Sequence, residues 1–147
     1  PKIVNVGNGG FISTNDNDIF RKSKFILKSL RANPVTCAGI AEEIKNAPEI
    51  LSKTIEACNI IKKEFESAIY SDKRGITIAL KTDNPKEDGY ELRKKLNAEG
   101  RSIVTTCPRY DRVMIDAVCI EIKNLDPGCL ENEIITEIIQ MINGLIE

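Results

Sequence analysis

The chain has 147 residues, with 21 basic and 22 acidic side chains and a formal charge of −1. This length favours one compact domain whose core needs neither metals nor disulfides. The near balance of charge excludes a general electrostatic attraction to nucleic acid or to anionic membranes. Histidine is absent, which removes the commonest general base and the commonest zinc ligand. No apolar run reaches the roughly 20 residues that span a bilayer.

The five cysteines are scattered along the chain and include no CxxC pair. With no targeting segment in view, this pattern predicts a reducing, cytoplasmic location and mostly buried thiols. It favours neither a metal site nor a membrane partner. Cys107 is the one thiol considered as a nucleophile, but no histidine is present to activate it.

Residues 2–6 are β-prone, and a glycine-rich stretch at 7–10 leads into a second β-prone run at 11–14. Glycines permit backbone conformations with positive φ and a close approach by a ligand. The stretch is therefore either a tight turn or a phosphate-binding loop, in which Asn8 is the candidate contact. Its position before a strand differs from the common phosphate loops, which follow a strand and open a helix.

Three helices are predicted next. Capping residues at 15–18 start a helix that runs to about Ala32, and its basic face is either solvated or turned toward an acidic partner or phosphate. A second helix covers about 35–46. A third begins at Pro48 and runs to about Ile69, with an apolar stripe that forms core or a seam against another chain. The stripe comprises Ile44, Ala47, Leu51, Ile55, Cys58, Ile61 (or Lys62), Phe65 and Ile69.

The remainder reads as strand, helix, strand, strand, helix. The predicted strands are 75–80, 102–106 and 117–122. The first helix starts at Pro85 and ends at Gly100, and the last spans about 129–145. This order predicts an α+β fold, a two-layer sandwich in which a small, mainly antiparallel sheet has helices packed on one face. We expect a single domain over 1–147, with a strand and helical connecting segment at 1–69 and an α+β part at 70–147.

A loop between the last two predicted strands carries two arginines beside a tyrosine. Pro108 cannot donate to a β-ladder, so the segment 107–112 is a loop or a sheet edge. Arg109 and Arg112 are candidates for binding a carboxylate or phosphate through a guanidinium fork. The alternative is two solvated arginines near Asp111 and Asp116.

The element order resembles the carboxy-terminal part of the fold-type-I enzymes that depend on pyridoxal phosphate, the aminotransferase and selenocysteine-synthase-like group. The residues that carry the resemblance are the loop and strand at 6–13, the passage from Arg31 to Ser67, and the segment from Gly75 to Leu145. The resemblance implies a pyridoxal phosphate cofactor and assigns Lys2, seven residues before Gly9, as the Schiff-base lysine.

The same resemblance implies a transferase or lyase acting on a small amino-acid-like substrate, with this segment shaping the substrate side of the site and making homodimer contacts. A tRNA-linked substrate is the one nucleic acid it allows. No arginine lies near 117–119, where many aminotransferases hold the substrate carboxylate, so Arg109 or Arg112 would take that role. The alternative hypothesis is a stand-alone, non-catalytic α+β binding or interaction module.

Overall fold

A computed structural model describes residues 3–4, 12–30, 33–98, 101–106 and 115–146. The backbone groups into two compact units, Pro1–Pro48 and Glu49–Glu147. Residues 3–4 of the β-prone run at 2–6 form a bend, and residues 12–14 of the second run form no strand; the rest of both runs and the whole glycine-rich stretch at 7–10 lie outside the described residues. The single-domain prediction is not tested by this grouping and stays a prediction.

The first unit contains two helices with well-formed amino-terminal caps. Helix α1 spans Asn17–Ser29, and the Asp16 side chain accepts a hydrogen bond from the Asp18 amide. Helix α2 spans Pro34–Glu43, and the Asn33 side chain caps it by accepting from the Thr36 amide at 2.8 Å. Both starts follow the capping residues in the sequence. No residue of α1 is buried, and apolar side chains such as Phe25, which is 87% exposed, face solvent.

The second unit is an α+β fold, as predicted. Helix α3 spans Ala47–Glu64 and crosses the boundary between the units, and helices α4 and α5 span Pro85–Lys95 and Asn132–Ile146. Strands β1 (Ile78–Lys81), β4 (Val104–Thr106) and β5 (Ala117–Ile120) form an antiparallel sheet in the order β1-β5-β4. Strands β2 (Asn97–Ala98) and β3 (Arg101–Ser102) form a separate short ladder.

The two faces of the sheet differ in what covers them. Ile78 and Ile120 are paired across β1 and β5 and belong to the main core, to which α3, α4 and α5 also contribute. Their strand neighbours point to the opposite face, where Ala79, Ala117 and Cys119 pack with the partly buried Ile69 and Ile115. Within the described part of the second unit, helices therefore cover one face of the sheet only, which confirms the predicted layering.

Two predicted elements are shorter than expected. The helix from Pro85 ends at Lys95 rather than Gly100, because Leu96 is buried and the chain then pairs as β2 with β3. The last helix starts at Asn132 rather than 129, because Pro127–Cys129 forms a 3₁₀ turn. Its most buried residues are Ile135, Ile138 and Ile142, and Ile134 is only partly buried.

The long third helix also ends early, at Glu64 rather than near Ile69. A turn follows, and Ala68 forms a β-bridge with Leu80 of β1. Ile69 consequently reaches the second face of the sheet instead of continuing the helical stripe. Within the part of the chain that the structure describes, no helix is both long and apolar enough to cross a membrane.

Candidate basic recess

The predicted site residues cannot be placed. Lys2, Asn8, Arg109 and Arg112 all lie outside the described residues, as does Cys107. Their roles stay predictions, and the structure neither brings them together nor separates them. The described residues of the second unit nevertheless contain one arrangement with clear binding chemistry, at the carboxy-terminal end of α3.

Lys62 is the centre of this arrangement. Its position in the apolar stripe was ambiguous with Ile61, and both residues are buried, with Lys62 only 5% exposed. The Lys62 ammonium group donates hydrogen bonds to two main-chain oxygens, that of Lys73 at 2.8 Å and that of Tyr70 at 3.5 Å. The side chain therefore reaches from the last turn of α3 to the loop that precedes β1.

The charge on Lys62 has no close negative partner among the described residues. The nearest acidic influence is Asp72, whose carboxylate instead pairs with the Lys73 ammonium at 2.8 Å. A hydrogen bond from Lys73 is the main cause of the lowered pKa of Asp72, and the charge of Lys62 contributes only the smallest effect. Burying a cation without a counter-charge is costly, and two neutral carbonyls offset only part of that cost.

The loop that holds these carbonyls is fixed against the sheet. The Ile69 amide donates to the Ala79 oxygen at 2.9 Å, and the Lys81 amide donates to the Ser67 oxygen at 2.8 Å. The Lys73 amide also donates to the Tyr70 oxygen at 3.0 Å, closing a turn. Tyr70 has φ of 56°, the only positive φ of a non-glycine residue among those described. An L-residue pays for this left-handed conformation.

A recess of about 450 Å³ opens between this loop, the end of α3 and β1. We call it the basic recess. Three of its lining residues are cationic, three are aliphatic, and none of those described is a carboxylate or a thiol. The lining comprises Lys62, Ile69, Tyr70, Lys73, Arg74, Gly75, Ile76, Thr77 and Ala79. A group bound in the recess would therefore lie near one buried cationic residue and two exposed ones.

A second buried lysine makes an instructive contrast. Lys123 is 8% exposed, but it forms an ion pair with Glu121 and donates to the Thr77 hydroxyl at 2.8 Å. Its charge is therefore compensated within the fold. Burial raises the pKa of the Cys58 thiol to about 11, although the positive charges of Lys62 and Lys123 act in the opposite direction. Cys58 is a neutral core residue at physiological pH.

Two other recesses of the second unit have acidic residues in their lining, so their positive charges are balanced. One of about 450 Å³ lies between α3 and the start of α5, where Lys53 shares the lining with Glu56, Glu131 and Glu133. Lys53 itself pairs with Glu49 at 2.9 Å. Another of about 400 Å³ lies beside the start of α4 and includes Asp83 and Asp88. Neither presents an uncompensated buried charge, so the basic recess is the strongest candidate for a binding site.

A comparison with known protein families matches the part of the chain that forms the second compact unit. Residues 48–143 match the MJ1341 family C-terminal domain, an α+β region that coincides closely with the second compact unit. The chain therefore belongs to the MJ1341 family. Searches of the curated proteins and of the solved structures returned no match.

This family membership overturns the suspected relationship to the pyridoxal-phosphate enzymes. The likeness was one of element order alone, and a small antiparallel sheet with helices on one face is shared by many unrelated proteins. The pyridoxal phosphate, substrate and homodimer predictions were motivated by that relationship and now have no other support. The described residues do not test them.

Sequence reasoning missed the basic recess because it assigned no site to residues 70–74, which precede the predicted strand at 75–80. One signal was present. A lysine occupies a position of the buried stripe, and two further cations and a glycine follow at 73–75. A charge at a core position, with a basic segment shortly afterwards in the chain, indicates that the two meet at one site.

Proposed function

We propose that the second unit is a binding module, without catalysis of its own, whose basic recess receives the anionic group of a small molecule. The observation that carries this proposal is the buried Lys62 ammonium, which is held by two carbonyls and lacks a carboxylate partner among the described residues. An incoming phosphate or carboxylate would supply the missing negative charge. Charge-assisted hydrogen bonds of this kind are about twice as strong as neutral ones.

Lys73 and Arg74 add two positive charges to the recess. Both line the recess, and among the described residues only Lys73 has an acidic ion-pair partner, Asp72, in an exposed pair. Exposed pairs contribute little and rearrange at low cost. Arg74 offers a planar guanidinium that suits the two oxygens of a carboxylate or phosphate. The lining contains no pair of a nucleophile and a base, which favours binding over reaction.

The experiment is a titration of the chain with inorganic phosphate and with acetate, followed by amide chemical shifts at constant ionic strength. We expect saturable shifts confined to residues 62 and 69–79. Arg74→Gln should weaken binding about tenfold, the lower end expected for a hydrogen bond to a charged group. Arg93→Gln, which removes the same charge from the exposed face of α4, should leave binding unchanged. Shifts that spread over the surface, or equal weakening by both substitutions, would refute the proposal.

A further inference from the structure

The lining of the basic recess contains more than cations. Tyr70 also lines it, and this residue is 53% exposed. Ile69, Ile76 and Ala79 provide apolar surface beside it. A bare inorganic anion uses none of this surface. We infer that the recess accepts an anion joined to a planar aromatic ring, with the anionic group near Lys62 and Arg74 and the ring against Tyr70.

The backbone at Tyr70 supports a role for its ring. A φ of 56° is easily adopted by glycine or asparagine, and a bulky residue there is a true outlier. The residue is 53% exposed and belongs to neither core cluster, so its ring is not held there by core packing. An aromatic side chain therefore occupies a strained position where a smaller residue would cost less, and strained residues of this kind cluster at binding sites.

Space beside Lys62 is consistent with access by a ligand. Gly75 has no side chain, and a β-carbon placed there would lie 3.6 Å from the Lys62 ammonium nitrogen and 3.5 Å from the Thr77 oxygen. Those are ordinary contact distances, so the position tolerates a methyl group without displacing its neighbours. With no side chain at residue 75, the recess keeps free space beside the Lys62 ammonium nitrogen.

The test compares anions with and without a ring, and it rests on the proposed function. The probes are adenosine 5′-monophosphate against ribose 5-phosphate, and benzoate against acetate, which separate a phosphate source from a carboxylate source. We expect the ring to tighten binding about tenfold in at least one pair, as base–aromatic stacking does. Tyr70→Phe should keep this preference. Tyr70→Asn, which suits positive φ, should abolish it.

The two proposals fail in different ways. If ring-bearing and ring-free anions bind wild type equally, and Arg74→Gln weakens both, the anion site stands and the aromatic inference falls. If Tyr70→Asn retains the full ring preference, the aromatic inference also falls. If none of the four probes binds, both proposals fail. An unchanged amide spectrum outside residues 69–79 verifies that each variant is folded.

Discussion

The Lys62 ammonium group lies 2.8 Å from the main-chain oxygen of Lys73, so a buried cation at the end of α3 holds a loop that itself carries two cationic side chains, Lys73 and Arg74. Lys123, the other buried lysine, is paired with the carboxylate of Glu121. The fold compensates one buried charge and leaves the other facing a recess. Replacing each of these two lysines by methionine should therefore change the free energy of unfolding by different amounts.

Lys62→Met should lower the free energy of unfolding by only about 1 kcal/mol in the absence of ligand. Methionine keeps the apolar stem, and the lost hydrogen bonds to neutral carbonyls are partly offset by the removal of a buried charge that has no counter-charge. The Tyr70 oxygen retains its bond from the Lys73 amide. Urea unfolding measures the change, with the exposed Lys63→Met as control. A loss of 3 kcal/mol or more would mean that Lys62 is paired within the fold and that its charge is structural.

Lys123→Met should cost more, about 3–5 kcal/mol, because it leaves a half-buried carboxylate without its cation. The Glu121 side chain in this pair is 14% exposed. Adding Glu121→Gln removes the orphaned charge and should recover part of the loss. A double-mutant cycle gives the coupling directly. Additive effects of the two substitutions would show that the pair does not contribute as described.

Tyr70→Gly should be more stable than Tyr70→Ala by about 1 kcal/mol. Both substitutions remove the ring, but alanine keeps the β-carbon that opposes a left-handed backbone. This ordering is the reverse of that found at positions with negative φ, where glycine is the less stable choice. Thermal unfolding of the two variants measures the difference. A Tyr70→Ala variant as stable as Tyr70→Gly, or more stable, would contradict the φ of 56° at this position.

Cys58 should make stability fall at high pH. Burial raises the pKa of its thiol from 9.0 to about 11, so the folded chain keeps a proton that the unfolded chain releases in this range. The free energy of unfolding is unaffected below pH 9 and then decreases by up to about 1.4 kcal/mol per pH unit, until pH 11. Cys58→Ala lacks this titration, so the stability gap between it and wild type should narrow from pH 9 to 11. A constant gap would contradict the raised pKa.

The sequence allowed the layers of the second unit to be predicted, and particular residues explain why. Ile78, Leu80, Val118 and Ile120 alternate with small residues along two strands, and Leu92 lies on the inner face of α4. Element ends were less predictable. The helix from Pro85 was expected to continue to Gly100, but Asn97–Ala98 pairs with Arg101–Ser102 only two residues further along the chain, and this short ladder ends the helix.

The candidate site was less accessible to sequence reasoning. A lysine next to Ile61 in an apolar stripe is ordinarily a solvated neighbour, since long charged side chains extend to water. The burial of Lys62 depends on the turn after Glu64 and on the Ile69–Ala79 hydrogen bond, which return the chain across the end of α3. The left-handed backbone at Tyr70 could not be predicted either, because a tyrosine in a sequence does not indicate a positive φ. Only the folded loop brings these residues together.

The central claim is that the uncompensated charge of Lys62 is available to an anion, and ligand-linked stability tests it most directly. Thermal unfolding would be followed while phosphate replaces chloride at constant ionic strength, for wild type, Lys62→Met, Arg74→Gln and Arg93→Gln. An anion that binds only the folded chain stabilises it in proportion to the logarithm of its concentration above the Kd. We predict stabilisation of wild type and Arg93→Gln, a smaller effect in Arg74→Gln and none in Lys62→Met. Equal stabilisation of all four chains would contradict the account.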